Sequence, residues 1–64
     1  MRVELPDGSV RTVDADGIPV EEVLVLLGVN PVEVIITRNG TLVPDDTIAA
    51  MDDEIRLVRI SHGG

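Results

Sequence analysis

The chain has 64 residues with no cysteine and one histidine, which fits one small domain and excludes a disulfide framework, a thiolate zinc site and thiol catalysis. Five arginines and no lysine stand against 12 carboxylates, a formal net charge of −7; without a basic face or aromatic rings, neither nucleic acid nor an anionic membrane surface is a fitting partner. Hydrophobic residues make up 44% of the chain and none is Phe, Tyr or Trp, so the core must be aliphatic.

Met1 to Leu5 alternates apolar and charged residues, the mark of a half-buried strand. Pro6-Asp7-Gly8-Ser9 supplies turn chemistry, and Val10 to Asp14 reads as the returning strand of a hairpin. Val10 and Val13 cannot both face inward without a bulge; Val13 is the better inward candidate. Ala15-Asp16-Gly17 breaks the pattern, and Pro19 suits a first helical position. Val20, Val23, Leu24 and Leu27 recur at helical spacing, with Glu21 and Glu22 in the first turn, so a helix of about ten residues is expected. Ile18 is a poor N-cap. Gly28 can end the helix in a left-handed conformation, and Pro31 prevents its resumption.

Glu33 to Arg38 is a β-branched run closed by Asn39-Gly40, a strong hairpin signal. Thr41 to Val43 is its brief partner. After Pro44-Asp45-Asp46-Thr47, an irregular turn over Ile48 to Met51 is expected to drop Ile48 into the core. Glu54 to Ile60 is the last strand, followed by Ser61-His62-Gly63-Gly64. The order is β-β-α-β-β-β, an α+β design of one sheet carrying one helix on one face. Residues 1–64 form one domain, with 61–64 as a flexible C-terminal tail. Val23 to Val29 is too short for a membrane span. The amino terminus lacks the apolar block of a signal peptide, so a cytoplasmic protein is expected.

Candidate chemistry is sparse. Asp14, Asp16, Gly17 and Glu22 only superficially suggest a calcium loop, since the chain turns into Pro19 too soon for the twelve-residue register. Asp45-Asp46 and Asp52-Asp53-Glu54 read as solubilising turn charges, because nothing nearby in sequence supplies burial or a positive partner. Ser61 and His62 are adjacent in an extended segment and point to opposite sides, so they cannot pair as nucleophile and base. The glycines at 8, 17, 28 and 40 are isolated, and none builds a phosphate loop. No catalytic apparatus, metal site or bound cofactor is expected; the chain does not read as an enzyme.

The carboxyl end differs. Two closing glycines arise by chance in roughly 0.5% of sequences at an average glycine content near 7%, so the pair calls for a chemical reason. Gly63-Gly64 has no Cβ and can thread a narrow channel to approach a phosphate closely. Its unhindered carboxylate can attack the α-phosphate of ATP to give an acyl-adenylate, from which sulfur or an amine displaces AMP. On this basis the protein is a reagent that another enzyme loads.

The element order with terminal Gly63-Gly64 resembles the ubiquitin-like β-grasp sulfur carriers of the ThiS and MoaD family. The stretch from Val34 to Pro44, then Met51 to Ile55 and the last strand, is similar to that family's later half. The small size also resembles the archaeal small modifier proteins. The resemblance implies a β-grasp fold with a mixed sheet. It also implies adenylation of Gly64 by a ubiquitin-activating-type adenylyltransferase that consumes ATP, then conversion to a thiocarboxylate, with Gly63 as the small neighbour. Sulfur donor and acceptor enzymes are the implied partners, for thiamine, molybdopterin or tRNA thiolation. The alternative is a ubiquitin-like modifier joined through Gly64 to target-protein lysines. Asp53 departs from the pattern, standing where the family often has Gly.

If Ile55 and Leu57 face the helix, Arg56, Val58 and Ile60 face outward. Val58 and Ile60, with Ile35 and Leu42, would then form an apolar docking patch beside the tail.

Overall fold

The computed structural model describes residues 1–60. Three-residue strands β1 (Arg2–Glu4) and β2 (Val10–Thr12) form the first hairpin. Its turn is tied by Asp7, whose carboxylate accepts from the Ser9 amide at 2.9 Å and the Ser9 hydroxyl at 2.6 Å. No bulge is needed between them: Val10 pairs with Glu4 on the outer face and stays exposed, while Val13 packs against the core as expected.

A two-residue strand β3 (Ile18–Pro19) leads into helix α1 (Val20–Leu26). The helix has seven residues, not ten, and Pro19 is its N-cap with extended dihedrals, not its first helical residue. No side chain caps it. Instead the Val20 amide donates to the Thr47 carbonyl and the Glu21 amide to the Asp45 carbonyl, each at 2.9 Å. The loop after the second hairpin thus supplies the acceptors that an N-cap side chain would otherwise provide. At the other end Gly28 takes φ +73°, its amide reaching Val25 and the Val29 amide reaching Leu24. This pair of bonds is a Schellman cap, which the glycine permits. A seven-residue helix is marginal by itself, so its stability comes from packing.

Pro31 opens a 3-10 turn (Pro31–Glu33) where only a stop was expected; the Asn30 side chain accepts from the Val32 amide and caps it. Strands β4 (Val34–Arg38) and β5 (Thr41–Val43) flank the expected Asn39-Gly40 turn, both of whose residues have positive φ. Strand β6 (Ile48–Ala49) and the central strand β7 (Glu54–Arg59) are the last elements among the described residues. The main sheet runs β2-β1-β7-β4-β5, with β1 parallel to β7 and its other pairs antiparallel. It is the expected mixed sheet with one helix on one face.

The core unites Val20, Val23 and Leu24 of the helix with Val3, Val34, Ile36, Ile55 and Leu57 of the sheet, joined by Met1 and Ala49. Leu5 and Leu27 pack on its margin. Ile48 corrects the sequence reading. It is 55% exposed, and Ala49 takes the buried place. The segment is not an irregular turn but a strand paired with β3, Ile18 opposite Ala49 and Pro19 opposite Ile48. That register sets the facing, since a slip of one residue exchanges the two sides. Among the described residues no helix is long and apolar enough to cross a membrane.

Candidate functional site

The face of the sheet opposite the helix follows from the registers. Ile35 lies directly across from Val58, Thr37 lies between Leu42 and Arg56, and Glu4 lies between Arg56 and Val10. Ile35, Val58 and Leu42 are 42%, 46% and 68% exposed. Leu42 is diagonal to Ile35, near enough for side chains of this size to share one apolar surface. The structure therefore brings three of the four expected patch residues together. Ile60 differs: it lies past the end of β7, is half-buried, and donates its amide to the Glu33 carbonyl at 2.9 Å. That bond holds the last described residue beside the 3-10 turn, at the same end of the sheet as Ile35 and Val58. Gly63 and Gly64 lie outside the described residues.

The rest of this face is polar but balanced. Arg56 Nε meets Glu4 Oε2 at 2.7 Å, and Arg2 and Glu54 are partners in the parallel ladder. Two arginines against two glutamates leave the face without net charge, although the chain carries −7. The carboxylate excess therefore lies on the loops, the helix and the opposite side. A shallow groove bounded by Arg2, Glu4, Arg56 and Val58 crosses this neutral surface.

The second polar feature was not legible as such. Asp53, a solubilising turn charge by its sequence neighbours alone, is 6% exposed. Its Oδ2 accepts from Arg38 Nε and from the Ala50 amide, both at 2.7 Å, and its Oδ1 accepts from Asn39 Nδ2 at 3.0 Å. Chiefly the Arg38 hydrogen bond, then the Ala50 and Asn39 donors, lower its pKa from the usual 3.8 to about 2. The partners come from residues 14 and 15 positions earlier and from the preceding turn, so only the fold assembles them. Asp53 immediately precedes the central strand, at the end remote from Ile60, and it acts there as a clamp on the β4–β5 turn.

This clamp has a pH signature. The folded carboxyl is more acidic than the unfolded one, so its contribution is complete above about pH 4 and is lost as pH falls towards about 2. The Asp53→Asn variant is expected to show a flatter fall in stability across that window than the parent. Urea midpoints measured from pH 5 to pH 2 check this, and parallel curves would contradict it.

Asp16 is also structural, its Oδ1 accepting from the Met51 amide at 2.8 Å to hold the β3–β6 ribbon. Among the described residues, no three His, Asp or Glu side chains are grouped to hold a metal ion.

Comparison with known proteins places this geometry. The chain is similar over its whole length to the crystal structure of a thiamine biosynthesis protein (ThiS) from Geobacter metallireducens, with 27% identity, a TM-score of 0.69 and complete coverage of both chains. No curated protein sequence matches it significantly. The model of the ThiS family matches residues 2–64, nearly the entire sequence. With that match across the sheet, the helix and the closing glycines, the chain belongs to the ThiS family.

Proposed function

We propose that this chain carries sulfur as a thiocarboxylate on Gly64, installed by a ubiquitin-activating-type adenylyltransferase at the expense of ATP. Membership of the ThiS family is the observation that carries the reading. The Gly64 carboxylate attacks the α-phosphate of ATP, pyrophosphate leaves, and a sulfur nucleophile then displaces AMP from the acyl-adenylate. Gly63 keeps the approach to the nucleotide open, having no side chain. The chain supplies no acid, base or metal to these steps and acts as the substrate of its partners, not as a catalyst. The similarity to a thiamine biosynthesis protein makes a thiazole-forming acceptor the first candidate among the sulfur pathways. Sulfur transfer in vitro tests the reading: with the cognate activating enzyme, ATP, a persulfide donor and a thiol reductant that cleaves the resulting acyl disulfide, labelled sulfur should appear on this chain as a thiocarboxylate. Label retained wholly on the donor would contradict it.

The neutral apolar face of Ile35, Leu42 and Val58 supports docking of the activating enzyme there, because a partner can cover it without meeting the carboxylate excess. Ile60, half-buried past the end of β7, stands apart from this surface. Val58→Asp or Ile35→Asp is expected to weaken binding on the order of tenfold or more, while stability changes by only about 0.5 kcal/mol because both sites are partly exposed. Titration calorimetry and urea melts check the pair; equal losses in both would assign these residues to the core.

The modifier alternative has its own signature. The sequence holds no lysine, and the Met1 amine donates to the Val13 carbonyl at 2.7 Å while Met1 is buried. If Gly64 also forms isopeptide bonds, digestion of purified conjugates should give single glycine remnants on lysines of other proteins. Branched polymers joined within this chain would contradict that expectation.

A further inference from the structure

The Asn39-Gly40 turn has a chemical property besides its shape. An asparagine followed by glycine is prone to cyclisation: the Gly40 amide nitrogen attacks Asn39 Cγ, because glycine has no side chain to block it. The new N–Cγ bond forms as the Cγ–Nδ2 bond breaks, and Nδ2 leaves as ammonia with the Gly40 proton. Water then opens the ring, giving an aspartyl or a β-linked isoaspartyl residue. The chain has only one other asparagine, Asn30, and it precedes Pro31, which has no N–H to attack. Position 39 is therefore the one amide in the sequence suited to this reaction.

The folded chain holds that amide at both ends. Asn39 Oδ1 accepts from the Glu54 amide at 2.9 Å, Nδ2 donates to Asp53 Oδ1 at 3.0 Å, and the Asn39 amide donates to the Glu54 carbonyl at 2.8 Å. Asp53 is itself fixed by Arg38 and the Ala50 amide. Cyclisation requires the side chain to swing towards Gly40, away from both partners. Gly40 itself is open, with nothing near its Cβ direction, so the restraint lies in the hydrogen bonds and not in crowding.

We infer that Asn39 is the protein's site of spontaneous deamidation, that the clamp to Asp53 and Glu54 suppresses the reaction in the folded chain, and that unfolding releases it. The change is self-reinforcing. A carboxylate at position 39 cannot donate to Asp53, and it places a second negative charge within hydrogen-bonding distance of the first. The turn that joins β4 to β5 then loses one of its ties beside the central strand and gains a repulsion there, so the altered chain refolds less stably than the original.

The experiment incubates the full chain at neutral pH, folded and in denaturing urea, and follows amide-to-acid conversion by peptide mass. Breaking the two side-chain bonds should slow the folded chain on the order of tenfold or more relative to the unfolded one, with the conversion mapping to Asn39. Asp53→Ala, verified as folded by circular dichroism, should convert faster than the parent. Should that variant fail to fold, a urea series on the parent decides, its rate rising with the unfolded fraction. Equal rates in folded and unfolded parent, or conversion mapping to Asn30, would overturn the inference.

Discussion

Deletion of Gly64 is expected to abolish ATP–pyrophosphate exchange by the cognate activating enzyme while the urea midpoint stays at the parent value. The two halves of this result have separate causes. The exchange reaction needs a carboxylate that can reach the α-phosphate, and removing the last glycine draws that group back by one residue, about 3.3–3.6 Å of extended chain. A displacement of about 1 Å can already cost on the order of a hundredfold in a positioned reaction, so this shift should remove detectable turnover. Stability should not follow, because the core found among the described residues runs from Met1 to Leu57. A bulky residue in place of Gly63 should act similarly by blocking the approach. Normal exchange by the deletion variant would exclude Gly64 as the activated residue.

The second large effect concerns the core. Leu24 and Leu57 are among the largest fully buried side chains. Leu24 sits in the helix, where its carbonyl also accepts the Val29 amide of the helix cap. Leu57 lies in the central strand opposite Ile36. Truncating either to alanine should cost ~2–5 kcal/mol, the lost burial plus the cavity left behind. A domain of this size has on the order of 5 kcal/mol to lose, so both variants should unfold at markedly lower urea concentration. Parent-like melting by both would contradict the packing described here.

What could be read from the sequence was local. The helix face of Val20, Val23 and Leu24, the left-handed Gly28 and the Asn39-Gly40 hairpin each depend on residues within a few positions of one another. Period-two alternation likewise placed Ile55 and Leu57 inward and Val58 outward. What escaped depends on distant partners. The N-terminus of the helix is satisfied by carbonyls of Asp45 and Thr47, so no capping side chain marks it. Ile48 and Ala49 exchange sides according to a register set by pairing with Ile18 and Pro19. Asp53 looks like one acid among three until Arg38 and Asn39 meet it across the turn. Three of the four docking candidates, Ile35, Leu42 and Val58, follow from alternation; Ile60 lies beyond the strand end, where alternation no longer governs.

Sulfur carried on Gly64 is read from the mass of the C-terminal peptide isolated from the native host. A fraction of that peptide should be heavier by the exchange of one oxygen for one sulfur, with fragmentation placing the change on Gly64, and the fraction should disappear in a strain lacking the activating enzyme. An unmodified terminal carboxylate under every growth condition, in a host that is actively using this protein, would contradict the account.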